Sequence, residues 1–314
     1  VVKVGIPRAL LYYEYYPMWR AFFDALGAEL VVSESTTKDV AASGVARVTA
    51  ETCFPVKIFM GHVISLIGKC DFIFVPAVRS MEEKVHNCSK FLGLPDMTRA
   101  VIPECPPLLE VDIDMEKKRE LYSSVYALGR HFTWNPLKVR RAAKLALQSH
   151  GEYKARMVRE GKTPSEVLEG KSEQRDGSSS VALVGHPYLL YDDYVNHRLI
   201  SRLEGQGVIV LTPEMVSQAD MKQTTHELAG GSYWTYEDEV IGAGGYYIKK
   251  GVVDGVISVM AFGCGPDSVM MHILDRYARR ERRPYTCLTL DEHTAEAGLA
   301  TRVEAFIDMV RKRR

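Results

Sequence analysis

The sequence predicts an α/β protein of two doubly wound domains with parallel sheets, joined by a helical connection. Three observations carry this. Short apolar segments that read as strands alternate with segments whose apolar residues recur at helical spacing, the pattern of a sheet covered on both faces. An internal repeat sets Val4, Gly5, Pro7 and Leu10 in VKVGIPRALLYYE on Val184, Gly185, Pro187 and Leu190 in VALVGHPYLLYDD. A second pair follows in nearly the same register: CDFIFVPAV and VDGVISVMAF each enter an apolar strand through an aspartate, Asp71 or Asp254. Two matches in order imply two halves of similar topology.

In the first half KVGI, ELVVS and DFIFVP read as strands. PMWRAFFDALG and FPVKIFMGHVISLIG read as helices, each ending near a glycine. The aromatic run YYEYYPMW reads as packing, and AVIP, ahead of Cys105, as a further apolar strand. Residues 115–170 are charged and helical in pattern, and GKSEQRDGSSS reads as a solvated linker. In the second half SVALVG, GVIVL, GVISVM and YTCLTL are strands alternating with helices. The terminal MVRKRR closes an amphipathic helix, where its cations suit the negative end of the dipole. The expected boundaries are 1–130 for the first domain, 131–180 for the connection and 181–314 for the second domain.

Length and composition fit this picture. A chain of 314 residues exceeds one typical core. With 46% hydrophobic and 25% charged residues, it has an ordinary globular composition. Forty basic residues balance 40 acidic ones, so no net charge drives binding to nucleic acid or a membrane surface. No apolar run reaches the roughly 18 residues a membrane span needs. The N-terminal VVKVGIPRALL lacks the layout of a leader peptide, which makes the cytoplasm the expected location. Six cysteines are too sparse for a secreted disulfide scaffold of this size.

In open α/β sheets, ligands bind beyond the carboxyl ends of the strands. Cys264 falls there, just past GVISVM, between Gly263 and Gly265 and followed by Pro266. Cys88 lies in the loop region after DFIFVP, Cys53 precedes a helix in ETCFPVK, and Cys105 sits in PECPP. Cys70 and Cys287 belong to apolar strands and read as small buried hydrophobes. No CxxC pair occurs, so spacing leaves zinc, an iron–sulfur centre and a single catalytic thiol all open for the loop cysteines. Asp291, Glu292 and His293 fall at the end of YTCLTL, where an imidazole and carboxylates can move protons, with Thr294 placed to cap the next helix. His186, in GHPY, occupies the corresponding kind of turn. His62 reads as a core histidine. Gly242, Gly244 and Gly245 follow no convincing strand and make a poor phosphate loop.

GIPRALLYYEYYPMW, ETCFPVKIFMGHV, GHPYLLYD, AFGCGPDS and LDEHTAEAGLATRVEAF together resemble the 2-hydroxyacyl-CoA dehydratase-like proteins, and within them the acyl-CoA dehydratase activase-related group, DUF2229. The likeness runs from residue 3 to about residue 310. It implies Rossmann-like domains and an iron–sulfur cluster held by loop cysteines of both halves: Cys53, Cys88 and Cys264, with Cys105 as the fourth. A single 4Fe–4S cubane is the first expectation. A double cubane, 8Fe–9S, would enlist Cys70 and Cys287 as well. Gly263 and Gly265 would let backbone come close to such a cluster, and His186, His293 and Glu292 are the candidate catalytic groups. The resemblance also implies a separate ATP-hydrolysing activase that delivers low-potential electrons, a small-molecule substrate and a homodimer as one candidate state. Two other readings stand beside it: a non-catalytic cluster carrier or assembly factor, and a zinc-containing binding protein.

Overall fold

Both copies of the repeat become the strand from which a sheet is wound. The computed structural model describes residues 1–170 and 177–313. Its two units are Val1–Ala155 with Tyr233–Thr235, and Arg156–Ser232 with Tyr236–Arg314.

Unit 1 runs β1 (Lys3–Ile6), α1 (Tyr12–Leu26), β2 (Glu29–Val32), α2 (Lys38–Val45), α3 (Phe54–Leu66), β3 (Phe72–Phe74), β4 (Ala77–Glu82) and β5 (Val85–His86). It continues through α4 (Ser89–Leu92), α5 (Leu94–Val101), β6 (Leu108–Leu109), β7 (Asp112–Asp114), α6 (Lys118–Gly129) and α7 (Pro136–Glu160), whose last residues belong to unit 2. Its main sheet is parallel, in the order β2-β1-β3-β6. A small sheet, β5-β4-β7, lies beside it in sequence.

Unit 2 runs α8 (Pro164–Glu169), β8 (Ser179–Gly185), α9 (Pro187–Leu190), α10 (Leu199–Glu204), β9 (Val208–Leu211), α11 (Gln218–Ala229), α12 (Ala243–Lys250), β10 (Gly255–Ala261), α13 (Gly265–Arg280), β11 (Tyr285–Leu290) and α14 (Glu296–Lys312). Its sheet is parallel throughout, in the order β9-β8-β10-β11. The two sheets share one topology. In each, the repeat strand has its successor on one side and the next strand on the other, so the winding reverses there. Such a reversal opens a crevice at the carboxyl ends of the two strands it separates.

The repeated aspartates do the same work in both units. Asp71 donates its N–H to the Lys3 carbonyl at 2.9 Å, and its Oδ2 accepts from the Lys3 N–H at 2.8 Å. Asp254 repeats both bonds with Ser180, each at 2.8 Å. Each aspartate thus ties the start of one strand to the start of its neighbour. Hydrophobic burial supplies the rest: Leu183, Val184, Val256, Ile257 and Val259 are 0% exposed. Such side chains contribute about 1.5–3 kcal/mol each.

Several segments differ from expectation. AVIP is no strand, because Val101 ends α5 and the strand β6 begins only after Cys105. A run of three apolar residues cannot be told from the buried end of a helix by periodicity. Helix α1 starts at Tyr12, with Pro17 inside it, and buries Tyr12, Tyr13, Tyr15 and Trp19. Most of the expected linker lies outside the described residues, and its last two serines already belong to β8. Gly242, Gly244 and Gly245 are helical: an added Cβ would meet Met221 O at 2.5 Å, Leu274 Cδ1 at 2.9 Å and Leu228 Cδ1 at 2.5 Å. They serve close helix packing.

Candidate functional site

In unit 2 the winding reverses between β8 and β10, and the residue that follows β8 is His186. Gly185 permits this, since a Cβ there would stand 2.6 Å from the Val259 carbonyl of β10. The N–H groups of Leu189 and Leu190 donate to the His186 carbonyl at 2.9 and 3.1 Å. Asn196, 1% exposed, then fixes α9 by donating from Nδ2 to the carbonyls of Leu189 and Leu190. The backbone that presents the imidazole is therefore held from both sides.

Beyond β10 the chain turns through Gly263, whose φ of 77° favours glycine, and places Cys264 at the N-cap of α13. Asp267 follows in the first turn of that helix. A ring nitrogen of His186, the Cys264 sulfur and a carboxylate oxygen of Asp267 all lie within 4.8 Å of one another. His186 Nε2 and Asp267 Oδ1 share a hydrogen bond of 2.5 Å. Asp267 is 0% exposed, and its Oδ2 has no hydrogen-bond partner among the described residues. Tyr188 stacks on the imidazole at 5.0 Å, and Tyr236 meets it edge-on at 4.9 Å. Tyr236 holds a φ of 78°, a strained value for a non-glycine residue, and a π-helical turn over Asp238–Gly242 follows it.

Sulfur, nitrogen and oxygen donors in one buried group can hold a metal ion. The N-terminal end of α13 favours negative charge on Cys264, and a thiol that coordinates a metal does so as the thiolate, releasing its proton. Asp267 escaped the sequence reading. Its signal was present in CGPDS, where the carboxylate falls one helical turn after the cysteine.

Unit 1 sets two other expected ligands within electrostatic reach of each other. Cys53 is the N-cap of α3 and Cys88 the N-cap of α4. Burial pushes the Cys53 thiol above its usual value, the Val56 N–H and the Lys90 ammonium pull it down, and the neighbouring Cys88 pushes it up. The loop ahead of Cys53 is tied to α3 by Lys57, 1% exposed, which donates to the Ala50 carbonyl at 3.0 Å.

Cys105 goes elsewhere. Burial raises its thiol to about 11, with Cys70 the next cause. The Cys70 thiol in turn donates to the Leu66 carbonyl, the last residue of α3, at 3.4 Å. Cys53 starts that 13-residue helix, so a helix length of about 20 Å separates the Cys53 end from the Cys70 end. The structure therefore does not bring Cys105 to Cys53. Cys287 lies in β11 with its thiol raised to about 11, chiefly by burial.

The cluster after β11 is a turn. Asp291 Oδ1 accepts from the His293 N–H at 2.9 Å and from the Thr294 hydroxyl at 3.0 Å. Thr294 does not cap α14: its Oγ1 accepts from the Asp291 N–H at 2.8 Å, and the N-cap is Ala295. His293 is exposed and Glu292 half-buried. Gly265 opens α13, and a Cβ on it would meet no atom of the chain within 4 Å.

Residues 3–216 match the family model described as the CoA enzyme activase uncharacterised domain, DUF2229. The chain belongs to that family. The DUF2229 match takes in Cys53, Cys88, Cys105 and His186, and ends before Cys264 and Asp267. A search of curated proteins finds no match. No helix among the described residues is long and apolar enough to cross a membrane.

Proposed function

We propose that this DUF2229 chain is an iron–sulfur protein that accepts low-potential electrons from an ATP-hydrolysing activase and uses them on a small substrate, by reduction or dehydration. The observation that carries the reading is the buried donor group of His186, Cys264 and Asp267 at the winding reversal of unit 2. The activase-related family supplies the context. Thiolates suit iron–sulfur centres, and Cys53, Cys88 and Cys264 are the proposed thiolate ligands, each at a helix N-cap. Burial raises the pKa of the half-buried Cys53 thiol, which favours its protonated form; a bound iron would take the place of that proton. When present, the cluster would supply one-electron chemistry at low potential. The chain's own residues hold it, exclude water with Tyr188 and Tyr236, and fix an imidazole beside it.

The test is anaerobic purification followed by iron and sulfide quantification and EPR of the dithionite-reduced protein. About four irons and matching sulfide per chain are expected for one cubane. Cys264→Ser should lower the occupancy, and Cys287→Ala should leave it unchanged. A folded, colourless protein that holds neither iron nor sulfide after reconstitution refutes the proposal. A second reading rests on the same donors, since zinc also accepts histidine, cysteine and aspartate. One zinc per chain without sulfide would establish it.

A further inference from the structure

We propose that the corner between α6 and α7 in unit 1 is a docking surface for an acidic, leucine-bearing helix of a partner protein. The inference is independent of the iron–sulfur reading, since it uses no cysteine and no residue of the His186 group.

Charge is the first observation. Between Glu120 and Glu152 the sequence has no carboxylate and five cations, Arg130, Lys138, Arg140, Arg141 and Lys144. All five are exposed, and none makes an ion pair among the described residues. The chain as a whole balances 40 acidic against 40 basic residues, so the excess is local to this corner. Exposed apolar surface is the second. Trp134, Leu137 and Leu147 are 74%, 72% and 68% exposed. The Arg130 guanidinium lies 4.2 Å from the centre of the Trp134 ring, and the two line a cavity of about 290 Å³ with Ala127 and His131. Tryptophan and arginine are the side chains that most often anchor a protein interface.

The corner is held rigidly. A Cβ on Gly129 would stand 2.6 Å from Val139 Cγ1, so α6 and α7 meet closely there. Val139, Ala142 and Ala146 bury the inner face of α7. Lys138 donates to the carbonyl of Leu26, which ends α1, at 3.4 Å. His131 meets the ring of Phe72, the first residue of β3, edge-on at 5.6 Å. These contacts put the corner at the amino-terminal edge of the sheet, opposite the carboxyl ends of its strands.

The pattern of side chains selects the occupant. Leu137, Arg141 and Lys144 share the outer face of α7, opposite Val139, Ala142 and Ala146. A lipid surface would press those two cations into its apolar layer. Nucleic acid would neutralise them and leave Leu137 and Leu147 without an apolar partner. A second copy of the same face would set cations against cations. A helix with glutamates and leucines on one side satisfies the charges and covers the apolar side chains together.

The test uses the purified full chain and a fluorescein-labelled peptide of about 20 residues, about 30 Å long as a helix, with glutamate and leucine at helical spacing. Fluorescence anisotropy should show saturable binding that weakens as salt is added. Arg141→Glu/Lys144→Glu should weaken it about tenfold or more. That variant should also bind the matching lysine–leucine peptide, which the wild type should reject. Trp134→Ala should weaken binding about tenfold even in high salt, where charge attraction is screened. An all-glutamate peptide should bind less tightly than the glutamate–leucine one. Because the charge-reversed variant must gain one ligand as it loses another, misfolding cannot imitate the expected result. The inference is overturned if the glutamate–leucine peptide does not bind, if these substitutions leave its binding unchanged, or if the all-glutamate peptide binds as tightly. Tighter binding to phosphatidylglycerol vesicles or to a single-stranded oligonucleotide also overturns it, in favour of a membrane or nucleic-acid surface.

Discussion

Acid should destabilise unit 1 through one histidine. His62 is 0% exposed, with Nδ1 2.9 Å from Ser33 Oγ and Nε2 2.9 Å from Thr36 Oγ1. Burial, with the Arg8 guanidinium as second cause, lowers its pKa from 6.5 to about 4. Above pH 6.5 the ring is neutral in both the folded and unfolded chain, and pH has no effect through it. Between 6.5 and about 4 the unfolded chain binds a proton that the folded chain refuses. Stability then falls as the pH falls, by up to about 1.4 kcal/mol per pH unit and ~3 kcal/mol across the window. Below that window both states are protonated and the loss levels off. His150 shifts in the same direction, also to about 4, so the test is a difference between proteins. The three tryptophans, Trp19, Trp134 and Trp234, all lie in unit 1, and their fluorescence reports its unfolding. Urea unfolding at a series of pH values should give a shallower acid limb for His62→Gln than for wild type. The variant should lose about 1–3 kcal/mol at pH 7, where only its hydrogen bonds matter. Parallel acid limbs would refute the reasoning.

Gly61→Ala should destabilise unit 1 by about 1–3 kcal/mol, because its Cβ would stand 2.0 Å from the Val40 carbonyl where α3 touches α2. Gly44→Ala, 1.9 Å from the Lys57 carbonyl, should do the same, and a neutral result in urea unfolding would count against the backbone contact. Gly298→Ala should instead raise the melting temperature slightly, by the equivalent of about 0.5 kcal/mol, since its Cβ in α14 would meet nothing within 4 Å. Asp254→Ala should cost more than Asp71→Ala in thermal unfolding. Asp254 Oδ2 accepts part-buried bonds from both the N–H and the hydroxyl of Ser180, and Asp71 accepts one exposed bond from Lys3.

The fold was legible because its elements carry strong local signals. YTCLTL became β11 residue for residue, and GVISVM lies wholly within β10. The repeat named the two strands from which the sheets are wound, and its aspartates proved to make the same bonds. Short segments were not legible: AVIP carries too few residues to show a period, and Thr294 met a competing partner in Asp291 that no capping rule anticipates. At the site, Cys264 stood out through its glycines, and His186 through its place after a strand. Asp267 did not, since an aspartate in a first helical turn has an ordinary electrostatic reason to be there. Its partner lies 81 residues away in the chain, and only the register of β8 against β10 brings the two together.

That register also gives the site its asymmetry. Both units wind the same way and reverse at equivalent strands, so topology alone would offer each of them the same crevice. Unit 1 has Ile6 after Gly5, an aliphatic side chain that can only pack. Unit 2 has His186 after Gly185, and an imidazole at a buried position requires a partner. Asp267 provides one at 2.5 Å, and doing so leaves a carboxylate oxygen that itself lacks a hydrogen bond among the described residues. Each step of burial therefore creates a demand that the next group meets only in part, and the chain ends with net acceptor capacity beside a thiol. In an α/β core that excess is destabilising unless a cation is held there. A stability measurement decides the point: if Asp267→Asn raises the melting temperature of the metal-free protein and lowers that of the metal-loaded one, the carboxylate is retained for the ion. If both forms lose stability equally, Asp267 serves packing and the site's asymmetry needs another cause.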